Sequence, residues 1–238
     1  MSFLLTRSLK KLSRNFGFDI VRYPSPDLHR RIKTYQAFNI TTLVDVGANA
    51  GQYAALSRNL GYKGEIISFE PTASAFYLLT KLAAKDEHWK TYRMAIGARR
   101  GQIDINISEN SFSSSILDIK AVHLANAPLS RYIAKESVPI NTLANLFDDL
   151  KLSGNIFLKI DTQGYETEVL KGAERVLPQI SCIQLEMGLI ELYEGEKLFE
   201  DILAYLKSRK FEMYTIEPEF YDISTGQLLQ VDAIFYKK

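Results

Sequence analysis

Between residues 41 and 186, short apolar runs of strand-type composition alternate with stretches whose apolar residues recur at helical spacing, and four of the runs end in an acid. Runs of this length, bounded by turn residues, are what strands buried on both faces of a parallel sheet look like. Residues 41–46 form the first, and a helix with Tyr53, Leu56 and Leu60 on one face follows, ending at a glycine cap at Gly61. Residues 65–70 form the second, before a helix carrying Phe76, Leu79, Leu82 and Ala83, and residues 91–96 form the third. This βαβαβ order is half of a doubly wound sheet.

The alternation then breaks. Residues 101–107 read as an exposed strand and residues 110–115, Asn-Ser-Phe-Ser-Ser-Ser, are polar and turn-rich, so about residues 98–140 read as an inserted, substrate-facing segment rather than a new domain. Regularity returns with Asn141 as the expected cap of a helix with Leu143, Leu146, Phe147 and Leu150 on one face. A strand over 156–161 follows, then a helix with Val169, Leu170, Ala173, Val176 and Leu177 that ends at Pro178, and a fifth strand over 181–186. After a helix bearing Leu198, Phe199, Ile202, Leu203 and Leu206, runs 211–216 and 231–236 are separated by a loop containing Gly226. They are expected to pair as an antiparallel hairpin closing the sheet. The expected architecture is α/β and doubly wound, mostly parallel and layered α/β/α, over residues 40–238.

Residues 1–39 read as a basic amphipathic extension. From residue 1 to 33 eight Lys or Arg face Asp19 and Asp27, and Phe3, Leu5, Leu9, Leu12 and Phe16 recur at near-helical spacing. The expectation is a helix that caps the domain or a second copy in a homodimer, with a weak contact to an anionic membrane surface as the alternative. No apolar run is long enough for a transmembrane helix. The net charge of +1 gives no reason to expect a nucleic-acid partner. Cys182, in an apolar run, reads as a buried inert thiol, and a chain with one cysteine suits the reducing cytoplasm.

The acids fall where such a sheet binds ligands, at the carboxyl ends of strands near the topological switch point. Asp45 marks the end of the first strand, Glu70 the second, Asp161 the fourth and Glu186 the fifth. The turn after the first strand, Gly47-Ala48-Asn49-Ala50-Gly51-Gln52, lacks two of the three glycines of a dinucleotide fingerprint, and no Gly-Lys-Ser/Thr occurs for a phosphate loop. With Asp45 and Glu70 beside it, the turn suits a ligand of cationic character better than a phosphate. S-adenosylmethionine fits: its ammonium and sulfonium suit a negatively biased pocket, and its ribose diol offers donors to Glu70.

Four motifs in order, Val44-Asp45-Val46-Gly47-Ala48-Asn49-x-Gly51, Phe69-Glu70-Pro71, Leu158 to Glu166 (LKIDTQGYE) and Leu170-Lys171-Gly172-Ala173, make residues 40–187 resemble the FkbM-type S-adenosylmethionine-dependent methyltransferases. The resemblance implies a class I methyltransferase fold, Rossmann-like, with a seven-stranded sheet, and O-methylation of a hydroxyl on a sugar, glycan or polyketide-like small molecule. It implies that Asp45, Gly47, Ala48, Asn49 and Gly51 wrap the methionine end, with Gln52 and Tyr53 beside them, and that Glu70 and Pro71 take the ribose. Ala95 and Ile96 would lie beside adenine, and Asp161 would face the reacting centre. Ala144 departs from the pattern, since many relatives carry Asp there.

Methyl transfer is an in-line displacement that needs positioning above all, with a base to remove the hydroxyl proton. Asp161 is the expected base or orienter, with Glu186 as a secondary candidate and Gln163 and Tyr165 shaping the site. Asn110, Ser114 and Ser115 are expected to meet a polyhydroxylated acceptor. His29, His88 and His123 are scattered, and only His123, inside the insertion, is placed to reach a substrate. Asp161 and Glu186 alone are a thin donor set for Mg²⁺, so no metal is expected. The alternative function is a non-catalytic, cofactor-binding or assembly module on the same fold.

Overall fold

The computed structural model describes residues 3–21 and 23–238. In chain order the strands are β1 (Thr42–Val46), β2 (Glu65–Phe69), β3 (Trp89–Tyr92), β4 (Ala95–Ile96) and β5 (Gly101–Ser108), then β6 (Tyr132–Asn141), β7 (Ile156–Ile160), β8 (Ile180–Gly188), β9 (Phe211–Tyr221) and β10 (Leu228–Lys237). The helices are α1 (Phe3–Arg14), α2 (Pro26–Ala37), α3 (Gln52–Asn59), α4 (Ala73–Ala83), α5 (Ala121–Asn126), α6 (Leu143–Asp149), α7 (Glu166–Ala173) and α8 (Phe199–Ser208).

Seven strands form one sheet in the order β3-β2-β1-β7-β8-β10-β9. The first five are parallel, and β10 runs antiparallel to both its neighbours, so the C-terminal hairpin closes the sheet as the sequence predicts. The strand order reverses between β1 and β7, which places the switch-point crevice at their carboxyl ends. On one face Val44, Val46, Phe69, Leu158 and Ile160 pack against Leu143 and Phe147 of α6 and Val169 and Leu170 of α7. On the other, Leu43, Ile66, Phe157 and Cys182 meet Ala54 of α3, Leu79 of α4 and Tyr35 of α2. Burial pushes the Cys182 thiol up to about 12, which leaves it unreactive.

The structure departs from the sequence reading at several places. The expected third strand is two elements: β3 ends at Tyr92 on the main sheet, and Met94 N turns back to donate to Tyr92 O, so β4 pairs instead with β6. The inserted segment is thereby a second sheet, β4-β6-β5, with β5 antiparallel to β6 along its length. Thr142 rather than Asn141 caps α6, because its Oγ1 accepts from Asn145 N at 3.1 Å, while Asn141 Oδ1 takes Thr142 N. Helix α7 stops at Ala173, and a short 3-10 turn, Leu177–Gln179, carries Pro178 into β8.

The N-terminal 39 residues are not a uniform extension. Helix α2 belongs to the domain, with Thr34 and Tyr35 buried and the Tyr35 ring edge-on to Phe157 at 5.2 Å. On α1 and just after it, Leu9, Leu12 and Phe16 stay 42%, 56% and 71% exposed, so this apolar stripe does not cover the domain. The side chains of Phe3 and Leu5 lie outside the described residues. Among the described residues no helix is long and apolar enough to cross a membrane.

Candidate active site

Ser68, Asp45, Lys159 and Gln184 stand side by side across β2, β1, β7 and β8, in register and buried. Each interrupts an apolar strand on the face that carries α3. Trp89 Nε1 donates to Ser68 Oγ at 3.0 Å, and Ser68 Oγ lies 3.5 Å from Asp45 Oδ2. Lys159 Nζ reaches Asp161 Oδ2 at 3.0 Å, Asp45 Oδ1 at 3.5 Å and Gly47 O at 3.5 Å. Burial alone would lower the Lys159 pKa, but the carboxylates of Asp161 and Asp45 outweigh it and raise it, so the amine stays an ammonium. Asp45 is fully enclosed, its Oδ1 makes no hydrogen bond, and burial raises its pKa against the pull of Lys159.

The turn after β1 is knitted into the protein. Gly47 N and Ala48 N both donate to Phe69 O at 3.0 Å, Ala50 N to Asn49 Oδ1 at 2.7 Å and Gly51 N to Ala48 O at 2.8 Å. Asn49 N donates to Glu70 Oε2 at 2.9 Å. The turn therefore grips the Glu70 carboxylate and does not offer a ring of open amides to the methionine end. Asn49 sits at φ 47° and Gly47 at φ 77°, and a Cβ on Gly47 would lie 1.7 Å from Asp161 O. Glycine is what lets β1 and β7 end in contact. Glu70 Oε1 accepts from Thr72 N at 2.8 Å and Thr72 Oγ1 at 2.6 Å; burial raises its pKa while these bonds pull it back.

Asp161 follows β7 and is held from two sides. Lys159 occupies Oδ2, and Gln163 Nε2 donates to Oδ1 at 2.8 Å and also to Glu186 Oε2 at 2.9 Å. Gln163 is itself fixed, with Tyr193 OH donating to its Oε1 at 2.6 Å and Ser115 Oγ to its carbonyl at 2.6 Å. Glu166 Oε1 accepts from Thr162 N, Thr162 Oγ1 and Gly164 N, which pins the same turn. Burial, then the neighbouring Asp161, pushes the Glu186 pKa well up, so Glu186 is held towards its neutral form.

Two cavities open on these residues. The first is lined by Gly47, Asn49, Glu70, Pro71, Ala95 and Ile96, with Asp161 also in its wall. Ser114, Gln163 and Tyr165, expected at the substrate, also line it. The second is lined by Ala48, Gln52, Tyr53, Gln184 and Glu186. Asp161, Gly47, Asn49 and Phe112 belong to both. Tyr53 and Gln52, expected beside the cofactor, thus face the second cavity, because the first turn of α3 points across β7. Asp45 and Gly51 line neither: Asp45 faces Lys159 beneath the turn, and a Cβ on Gly51 would press on Leu79 and Trp89. Asn110 and Ser115 also stay off both walls, since Asn110 bonds Ser108, Ser113 and Ser130 within its loop and Ser115 supports Gln163.

The Methyltransferase FkbM domain matches residues 45–213 of this sequence. The chain belongs to the FkbM methyltransferase family. A 2-O-methyltransferase, NoeI, of Sinorhizobium fredii (strain NBRC 101917 / NGR234) is 26% identical over 209 residues, covering 84% of this chain and 86% of that protein. Among solved structures, an uncharacterized protein from Listeria monocytogenes serotype 4b superimposes with a TM-score of 0.51 at 8% identity, over 90% of this chain and 68% of that one, a likeness of fold.

Several site residues of this FkbM-family chain escaped the sequence reading. Lys159 was visible as a cation inside a buried parallel strand, a placement that demands paired acids. Arg31 of α2, Gln184 and Asp232 reach the second cavity from three separate elements, and no local pattern announces that. His123 does not reach the site: it is buried against Tyr193 and Phe220, and burial lowers its pKa to about 4. Among the described residues no group of three or more His, Cys, Asp or Glu is gathered to hold a metal ion.

Proposed function

We propose that this FkbM-family chain transfers a methyl group from S-adenosylmethionine to a hydroxyl of a sugar, glycan or polyketide-like small molecule. The observation that carries the reading is the position of Asp161 in the wall of both cavities, where a donor in one and an acceptor in the other would meet. The first cavity is the candidate donor site. Its residues fit the cofactor: Glu70 Oε2 takes one internal donor and keeps room for a ribose hydroxyl, and Met94, Ala95, Ile96 and Ile105 give an apolar wall for adenine. When bound, S-adenosylmethionine supplies a methyl carbon on a cationic sulfur that departs as a neutral thioether.

The chain's own part is positioning and proton removal. Asp161 accepts the proton of the acceptor hydroxyl and aims its oxygen, and Lys159 and Gln163 each occupy one of its oxygens, so the carboxylate is held in one orientation before the acceptor arrives. Glu186, favoured as the neutral acid, does not compete for the negative charge. The 2-O-methyl activity carried in the name of the Sinorhizobium relative supports oxygen as the acceptor atom. Incubation with methyl-labelled S-adenosylmethionine and a panel of deoxysugars, polyols and glycosides, read by mass spectrometry, tests this: a methyl ether on one class of acceptor is expected. Cofactor binding with transfer to none of them would favour a non-catalytic module.

A further inference from the structure

Arg31 lines the second cavity as a cation that makes no ion pair or hydrogen bond among the described residues, and Glu219 of the same cavity makes none either. Arg31 comes from α2, half-buried, and its guanidinium lies over the Tyr53 ring at 4.2 Å. Its neighbour Arg30 pairs with Glu217, whereas Arg31 makes no hydrogen bond and no close ion pair among the described residues and feels the charges of Asp232 and Glu217 only at longer range. The other cation, Lys159, is spent on Asp161 and Asp45. Around Arg31 the cavity presents acceptors: Asp232, which also takes the Gln184 amide, with Glu219 and Glu186.

We infer, resting on the reading above, that Arg31 selects the acceptor, and that the acceptor is a neutral ring bearing two adjacent hydroxyls. The occupant must offer lone pairs to a five-donor guanidinium and hydrogens to three carboxyl groups in the same space. An anion would satisfy Arg31 but face Asp161, Glu219 and Asp232. An ammonium would satisfy the acids but leave the half-buried Arg31 without an ion-pair partner. A vicinal diol supplies both, each hydroxyl giving one hydrogen and accepting another, so one hydroxyl can sit at Asp161 while its neighbour is held by Arg31. Stacking on Tyr53 fixes the guanidinium plane, which makes the fork a rigid template rather than a mobile charge.

The test uses methyl mannoside, whose ring hydroxyls are adjacent, against its 3-deoxy analogue, in which none are, together with a glucosaminide (ammonium) and a glucuronide (carboxylate). Binding to the full chain loaded with S-adenosylhomocysteine is read by saturation-transfer NMR titration, and methyl transfer by KM. The neutral diol is expected to bind at least roughly tenfold tighter than the deoxy analogue, which tests the adjacent hydroxyls, and than the two charged sugars, which keep adjacent hydroxyls and so test neutrality. R31M should abolish that preference and R31K keep part of it, with calorimetric affinity for S-adenosylhomocysteine unchanged in both. No binding of the diol, no preference for it, or a preference that survives R31M would overturn the inference, and the analogue comparison on the unaltered chain decides this even if R31M does not fold. Arg31-dependent diol binding without methyl transfer would uphold the inference and sink the proposed function, whereas methyl transfer without diol preference would do the reverse.

Discussion

Lys159 and Asp45 face each other in register across β7 and β1, with Nζ 3.5 Å from Oδ1, Asp45 fully enclosed and Lys159 at the edge of the second cavity. The pair sits directly beneath the turn that grips Glu70 and one residue from the end of the strand that leads to Asp161. It therefore ties the turn after β1 to the Asp161 carboxylate.

Lys159→Met should destabilise the protein in a pH-dependent way. Removing one member of a buried pair costs about 3 to 5 kcal/mol when the other must stay charged. Asp45 can escape by taking a proton, since burial already raises its pKa. A carboxyl with a raised folded-state pKa favours the fold at low pH and loses that contribution as pH rises through the folded value. The drop in Tm on substitution is therefore expected to be small at pH 5 and large at pH 8; equal drops would contradict the pairing.

Gly47→Ala should separate the ends of β1 and β7. The residue combines a positive φ with a Cβ position inside the Asp161 carbonyl, so the turn has to move. We expect the dissociation constant for S-adenosylmethionine to rise at least roughly tenfold by calorimetry, with a lower Tm. Wild-type affinity in this variant would remove the turn from the cofactor site.

Glu166 gives a second pH signature. Its carboxyl is fully enclosed, and burial pushes its pKa up to about 7 even though backbone donors pull the other way. All three donors go to Oε1, which leaves Oε2 free to carry a proton. The raised value means its contribution to stability is whole below about pH 4.5 and lost as pH climbs through about 7. In thermal scans the Tm of the wild type should fall between pH 5.5 and 8, and Glu166→Gln should flatten part of that fall.

Asp161→Asn keeps the shape and the Gln163 contact but removes the base and the partner of Lys159. Turnover is expected to fall about a hundredfold or more, with cofactor affinity within a few-fold of wild type. Turnover within a few-fold of wild type would assign Asp161 a purely structural part.

Dialysis against a chelator should leave methyl transfer unchanged, because the acids near Asp161 are bridged by Gln163 and Lys159 rather than converging on a common point. Loss of activity that Mg²⁺ restores would show a metal in the reaction.

The central strands and the turn after β1 could be read from the chain because their causes are local. A strand covered on both faces must be apolar almost throughout, and Gly47 and Asn49 announce a left-handed turn wherever they occur. The division of the third strand was not legible, since it depends on β6 capturing β4 through the distant pairs Ala95–Ile140 and Ile96–Asn141. The role of Lys159 was half legible: its place in an apolar run signals a buried ion pair, but only the register of β1 against β7 names Asp45 as the partner.

The sequence by itself determined the doubly wound sheet, the glycine turn and the acids after its strands, because period, turn chemistry and strand composition are properties of neighbouring residues. Only the tertiary structure decided which side of the sheet each polar group faces. It moved Tyr53 to the second cavity, sank Asp45 beneath the turn and brought Arg31 in from a helix that reads as a mere extension. Those placements arise from long-range packing of α2 and α3 on the sheet, through Tyr35 against Phe157 and Tyr53 against Gln184, contacts between residues more than a hundred positions apart.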